Sequence, residues 1–259
     1  MTLYHISIKK IIKHCTFSIL AGTLILSSAV LSGCSSKVNT TQTADSESQE
    51  PISTTAIKLN TAVTITIYDS QNKNLLTECM NLCDKYEKIF SRTASDSELY
   101  KLNHRQLTPV DGTDNTYQVS DSLAELIQKG LYYSDLSDGA FDIAPLTSLW
   151  DFTAEDPQVP EDSLIQTALS KCDYHNVSVG GKDNNEITLK TDDTAIELGA
   201  IAKGYIADRI KDYLKKNGVK HAVIDLGGNI LLLGSKTDGS KYNIGIQKPF
   251  GETGEPITS

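Results

Sequence analysis

Hydrophobic positions along the chain follow two periods. Between Thr61 and Tyr68, Val63, Ile65 and Ile67 alternate with threonines, which predicts a half-buried strand. From Asn72 to Phe90 the period lengthens to that of a helix. Leu75, Leu76, Cys79, Leu82, Cys83, Tyr86, Ile89 and Phe90 fall on one stripe. Asp121 to Leu136 repeats the helical pattern with Leu123, Leu126, Ile127, Leu131 and Tyr132, and Ser137-Asp138-Gly139 closes it as a turn. The stretch 90–103 is polar and loop-like, with Asp96-Ser97 suited to cap a short helix. Trp150 reads as a core residue. A further helix is expected over Glu161–Lys171, then short strands through Val177, Ile187–Leu189 and Ile196.

The stretch from Glu197 to Asn229 carries the densest pattern. Thr194–Leu198 reads as the end of a strand, and small residues follow up to Lys203-Gly204, where a helical pattern sets in. Ile206, Ala207, Ile210 and Leu214 share one face; Asp208, Arg209, Lys211, Asp212, Lys215 and Lys216 share the other. Asn217-Gly218 stops the helix. Strands over His221–Asp225 and Ile230–Leu233 flank Gly227-Gly228. Strands and helices mix without regular βαβ alternation, which predicts an α+β fold with mixed or antiparallel sheets packed with helices.

Glu197 and Lys203 thus bracket a tight strand-to-helix turn. Its small residues let a ligand reach the backbone, and a helix start favours anionic groups such as phosphate. The alternative is that Gly199, Ala200 and Gly204 only allow close packing of helix on strand. No phosphate-binding loop of the G-x-x-x-x-G-K-[ST] type is present.

Composition narrows the picture. Hydrophobic residues make up 39% and charged residues 22%, which suits a globular domain. The formal charge is −9, and the first 33 residues hold three lysines and no acid, so the remainder carries −12. So acidic a chain argues against general nucleic-acid binding. Lys9, Lys10 and Lys13 precede an apolar run, Phe17 to Leu31, of signal-peptide length. Leu31-Ser32-Gly33-Cys34 ends that run in the manner of a bacterial lipobox. The expectation is a signal peptide over residues 1–33 and a lipidated Cys34, with a plain secretory signal as the alternative. Residues 34–55, rich in Ser, Thr, Gln and Glu, read as a disordered tether, and the folded domain is expected over residues 56–259. Cys79 and Cys83 lie on the apolar stripe of a helix and read as core thiols rather than a metal or redox pair; Cys172 reads as another buried thiol. His221, at a strand start, reads as structural.

Four ordered motifs carry a resemblance. They are L-N-T-A-V-T-I-T-I-Y-D (Leu59–Asp69), F-S-R-T-x-x-D-S-E-L-x-x-L-N (Phe90–Asn103), S-D-G-A-F-D-I (Ser137–Ile143), and E-L-G-A-I-A-K-G-Y-x-A-D with D-L-G-G-N downstream. Together they resemble the FAD:protein FMN transferase family, formerly called thiamine-biosynthesis lipoproteins, over about Leu59–Phe250. The resemblance implies a flavin-transferase-like, T-fold-related domain. It implies Mg2+-dependent transfer of the FMN moiety of FAD to a Thr or Ser hydroxyl of a target flavoprotein, with release of AMP. A flavin-binding lipoprotein, or a pyrophosphatase that splits FAD without transfer, is the alternative. Carried over by motif, Leu59, Thr93, Ala140, Phe141, Asp142, Glu197 and Lys203 match FAD contacts, and the carbonyl of Ala200 matches a metal ligand. Thr93 stands where the family often has an aromatic residue. The family continues past this chain's last residue with a His-containing segment and an Asp and a Thr that bind the metal, so this chain is expected to be a fragment, incomplete at the C-terminus and unable to transfer FMN. The implied partner is a membrane electron-transport subunit with an exported flavin domain. The implied location is the extracytoplasmic face of a bacterial cell membrane, held by lipid.

Replacing Cys34 with Ala should release the protein from the membrane fraction, because two or more acyl chains are what make such an anchor stable. Unchanged membrane association of C34A would place the anchor elsewhere.

Overall fold

The computed structural model describes residues 50–145, 149, 155–156, 158–251 and 257. Cys34 and Trp150 lie outside the described residues. Strands β1 (Ile52–Lys58) and β2 (Thr61–Ile67) form a hairpin. Helices α1 (Asn74–Phe90) and α2 (Glu98–Asn103), strand β3 (Thr116–Gln118) and helix α3 (Asp121–Leu136) follow. Then come α4 (Asp162–Leu169), β4 (Val177–Gly180), β5 (Glu186–Leu189), the long helix α5 (Gly199–Lys216), β6 (Ala222–Leu226) and β7 (Asn229–Leu233). Every strand pair is antiparallel. One sheet runs β1-β2-β6-β7 and the other β3-β5-β4. The architecture is α+β, as the pattern predicts. Among the described residues no helix is long and apolar enough to cross a membrane.

Strand β1 begins at Ile52, so the ordered domain does not start at Ala56 and the polar tether does not reach Thr55. Composition misleads here because this strand is held by its ladder rather than by apolar burial. Ser53 pairs with Thr66 and Thr55 with Thr64, and each pair shares a hydroxyl–hydroxyl hydrogen bond of 2.9 Å.

The helical stripes bury as their spacing requires. On α1, Leu75, Leu76, Cys79, Cys83, Tyr86 and Phe90 are buried, with Leu82 and Ile89 partly so. Burial pushes the Cys79 thiol up to about 12 and the Cys83 thiol up to about 11, so neither is a thiolate at neutral pH. Cys172 is only half-buried, contrary to the expectation, because α4 beside it buries none of its residues. On α3, Leu123, Leu126 and Ile127 are buried, but Tyr132 is 60% exposed. The inward positions after Ile127 are Gly130 and Ser134, at helical spacing; Tyr132 lies between them and faces out. Gly130 is small because the Ile143 side chain sits 2.7 Å from where its Cβ would be.

Thr194–Leu198 takes no regular secondary structure and joins no sheet among the described residues. A side-chain amide takes the place of a neighbouring strand. Asn103 Oδ1 accepts from the Ile196 amide at 2.8 Å, and Asn103 Nδ2 donates to the Ile196 carbonyl at 2.9 Å. The helix after it starts at Gly199, not at Lys203. Ala200 and Ala202 are strong helix formers, and the Ala202 amide already donates to the Leu198 carbonyl at 2.8 Å.

Two tight hairpins meet at one end of the larger sheet. Leu59-Asn60 joins β1 to β2 with φ of 53° and 56°, and Gly227-Gly228 joins β6 to β7 with φ of 67° and 88°. A Cβ on Gly227 would collide with the stiff, β-branched side chain of Thr61. Gly227→Ala should therefore destabilise the fold by about 2–3 kcal/mol, combining left-handed strain with the clash. Gly228→Ala, which meets only open space, should lose about 1 kcal/mol by strain alone. Urea denaturation of both variants checks the difference, and equal midpoints would show that Thr61 yields freely.

Candidate functional site

Helix α5 is the element around which the candidate residues gather. It packs against α1, α3, β6 and β7. Tyr205 of α5 meets Tyr86 and Phe90 of α1 edge-on, at centroid distances of 5.6 and 5.4 Å. The Tyr205 hydroxyl bonds Glu125 Oε2 on α3 at 2.8 Å, and the Arg209 guanidinium lies 4.9 Å above the Tyr205 ring. Burial, together with the carboxylate of Glu125, pushes the Tyr205 phenol up to about 12. The helix is thus fixed on two sides before any ligand is considered.

Its N-terminus is held by Glu197. Oε1 of this residue accepts from the Gly199 amide at 2.7 Å, occupying one of the free donors of the first turn. Oε2 accepts from Arg92 Nε at 2.7 Å, and the Glu197 amide donates to the Ile143 carbonyl at 2.8 Å. Arg92 comes from the loop after α1. That loop is knotted by Ser91 Oγ, which accepts from the Ala94 amide, and by buried Ser97, whose hydroxyl donates to the Ser91 carbonyl and accepts from the Tyr100 amide. Ser97 is the N-cap of α2, as expected from Asp96-Ser97. Glu98 beside it accepts from both the amide and the hydroxyl of Ser120, the N-cap of α3, at 2.6 Å each.

Two clefts flank the first turns of α5. The smaller, about 320 Å³, is lined by Leu59, Arg92, Thr93, Glu197, Lys203 and Glu87, among others. It gathers four of the expected FAD contacts: Leu59, Thr93, Glu197 and Lys203. Leu59 reaches it from the β1–β2 turn at φ 53°, a conformation costly for a branched side chain. The Lys203 side chain is half-buried and makes no hydrogen bond or ion pair among the described residues. The larger cleft, about 730 Å³, is lined by Phe141, Ala200, Gly204, Tyr205, Asp208 and Ile230, among others. Consecutive residues Gly199 and Ala200 line different clefts, so the first turn of α5 stands between them. Gly204 meets no atom that a Cβ would crowd, so the glycine opens the larger cleft rather than allowing a close helix–strand contact.

The remaining expected contacts lie in the turn after α3. Ala140 is exposed, and Phe141 alone of this triplet lines a cleft. Both carboxylate oxygens of Asp142 are engaged locally: Oδ1 accepts from the Ala144 amide at 2.6 Å and Oδ2 from the Tyr174 amide at 3.1 Å. Asp142 therefore closes the turn that presents Phe141 and places the Ile143 carbonyl for Glu197. Ala200 is exposed on the first turn of α5. Among the described residues no three His, Cys, Asp or Glu side chains converge as a metal site, so these residues do not compose a Mg2+ cage by themselves. His221 Nδ1 lies 2.6 Å from the Ser235 carbonyl, a structural contact between strand ends.

Arg92 and Glu98 escape a reading by pattern. Arg92 lies in the loop after α1 and Glu98 opens α2, and nothing in the local spacing says which carboxylate or which cap each will meet across the fold.

An α+β domain with a cleft on either side of one helix N-terminus is of a class that has room for a small molecule there. The chain belongs to the ApbE family, whose sequence model matches residues 59–259. It is similar to the FAD:protein FMN transferase of Klebsiella pneumoniae (strain 342), 30% identical over 199 residues, covering 76% of this chain and 58% of that protein. The FAD:protein FMN transferase of Treponema pallidum (strain Nichols) is 31% identical over 198 residues, covering 70% of this chain and 52% of that protein. The chain thus spans somewhat over half the length of these curated relatives. Among solved structures, the flavin transferase ApbE from Vibrio cholerae superposes with a TM-score of 0.68 at 26% identity, covering 77% of this chain and 64% of that one. The flavinyl transferase ApbE of Pseudomonas stutzeri, in its apo form, gives 0.66 at 25%, covering 76% and 62%. The fold expected from the motifs is thereby established.

Asp142→Ala should lower stability by about 1–3 kcal/mol, since two buried-side amides lose their acceptor. Thermal unfolding checks this, and a variant as stable as the parent would show the turn to be held by other contacts.

Proposed function

We propose that this chain binds FAD along the clefts beside the N-terminus of α5, as part of an enzyme that transfers FMN from FAD to a protein hydroxyl. The observation that carries the reading is Lys203, a half-buried cation with no partner among the described residues, in one cleft with Leu59, Thr93 and Glu197. A dinucleotide with a diphosphate is a natural ligand for such a place. Phe141, in the larger cleft, offers an aromatic face to a planar ring. The named relatives are FAD:protein FMN transferases, and that likeness supports the same substrate here.

In the proposed reaction a Thr or Ser hydroxyl oxygen of the target attacks the FMN-side phosphorus. A new P–O bond forms, the bridging P–O bond breaks, and AMP leaves with the electron pair, while the hydroxyl proton passes to solvent. Lys203 orients the diphosphate, and Glu197 fixes the helix start against which it lies. Mg2+, when bound, supplies charge stabilisation to the leaving phosphate. Among the described residues the Ala200 carbonyl is the candidate ligand, and the remaining oxygens would come from phosphate, water and residues outside this set. The target, we propose, is a flavoprotein subunit of a membrane electron-transport complex, and the protein itself is lipid-anchored through Cys34 on the outer side of a bacterial cell membrane.

Incubation of the full-length protein with FAD, Mg2+ and an acceptor protein separates the readings. Covalent fluorescence on the acceptor marks transfer, free FMN marks a pyrophosphatase, and retained FAD marks a binder. Lys203→Ala should weaken FAD binding by about 1–3 kcal/mol, the range for a lost charged hydrogen bond, without loss of fold. Calorimetry showing unchanged affinity in K203A would remove Lys203 from the site.

A further inference from the structure

We propose that Arg92 is the positioning residue of the smaller cleft, neutralising Glu197 so that the cleft accepts an anionic ligand at Lys203. The inference rests on the FAD reading above and adds a residue that the reading does not use.

The charges of this cleft are few and can be followed one by one. Its lining holds two cations, Arg92 and Lys203, and two carboxylates, Glu87 and Glu197. Arg92 Nε meets Glu197 Oε2 at 2.7 Å, across 105 positions of sequence. The two side chains are 33% and 31% exposed, so the pair is shielded from water more than a surface pair would be. The other oxygen of Glu197 is taken by the Gly199 amide, so the carboxylate cannot leave without uncapping α5. Glu197 is thus a fixed negative charge at the place where a phosphate would approach. With Arg92 in place the lining is balanced, and Lys203 faces the ligand unopposed by Glu197. Without Arg92 one cation faces two carboxylates, and an anion is repelled from the helix start that should attract it.

Arg92 acts here through Glu197, not by touching the ligand, and this separates the proposal from a direct contact. The test is FAD affinity by fluorescence titration of the full chain, with melting temperatures recorded for each variant. Arg92→Ala should weaken FAD binding about tenfold, because it leaves the Glu197 carboxylate unneutralised beside the ligand. Adding Glu197→Gln to Arg92→Ala removes the unneutralised charge yet keeps an oxygen for the Gly199 amide. Measured against Glu197→Gln alone, the double variant should lose less than about threefold in affinity, a coupling expected only of residues that act as a pair. Arg92→Lys, which keeps the cation and is the safer variant for folding, should also stay within about threefold. Unchanged affinity in R92A, a tenfold loss in R92A/E197Q relative to E197Q, or a tenfold loss in R92K would each overturn the role assigned to Arg92. Absence of FAD binding by the parent chain would instead overturn the functional reading, and this inference with it.

Discussion

The Glu197 carboxylate is the joint on which the candidate site depends. Through one side chain and one amide it links the loop after α1, the turn after α3 and the first turn of α5. A helix start leaves amides that need acceptors, and most helices use a short Ser, Thr, Asp or Asn cap for this purpose. Here Leu198 occupies the cap position and offers no side-chain bond. The acceptor comes from the residue before it, which leaves the second carboxylate oxygen free to bind Arg92. A conventional cap would have held the helix and left Arg92 without a partner.

That joint has consequences for the clefts. Because α5 begins at Gly199, residues 199 to 208 run between the two clefts, and the helical repeat of about 3.6 residues distributes them alternately. Ala202, Lys203 and Ile206 line the smaller cleft; Ile201, Gly204, Tyr205 and Asp208 line the larger. A start near Lys203 would have left that residue in a loop, with no fixed direction. The sheet contributes the opposite wall. Two hairpin turns with positive φ crowd against one another at Thr61 and Gly227, and the first of them carries Leu59 to the cleft.

Much of this was legible before any coordinates. Helix periodicity placed α3 at Asp121–Leu136 and the buried faces of α1 and α5, because burial of a stripe leaves a period in the sequence. Elements held by side-chain or ladder hydrogen bonds leave no such trace. Thr194–Leu198 has the apolar look of a strand, yet Asn103 supplies its pairing from far along the chain. Ile52–Lys58 has the polar look of a tether, yet hydroxyl pairs set it into a sheet. Among site residues, motif resemblance brought Leu59, Thr93, Glu197 and Lys203 to one cleft. It could not show that both oxygens of Asp142 are engaged within the fold, since one of them depends on the amide of Tyr174, 32 positions away.

Charge poses a last question: how a chain carrying −9 overall could favour an anionic dinucleotide. Surface charges farther away than the Debye length, about 8 Å at physiological ionic strength, are largely screened. The charges that line the smaller cleft are the local set: Arg92, Lys203, Glu87 and Glu197, of which Glu197 is paired with Arg92. Pairing matters more than net charge in that set, because a carboxylate neutralised by a guanidinium presents little field to an approaching phosphate. An acidic surface and an anion-binding cleft are therefore compatible, provided that the cleft's own acids are occupied from within the fold.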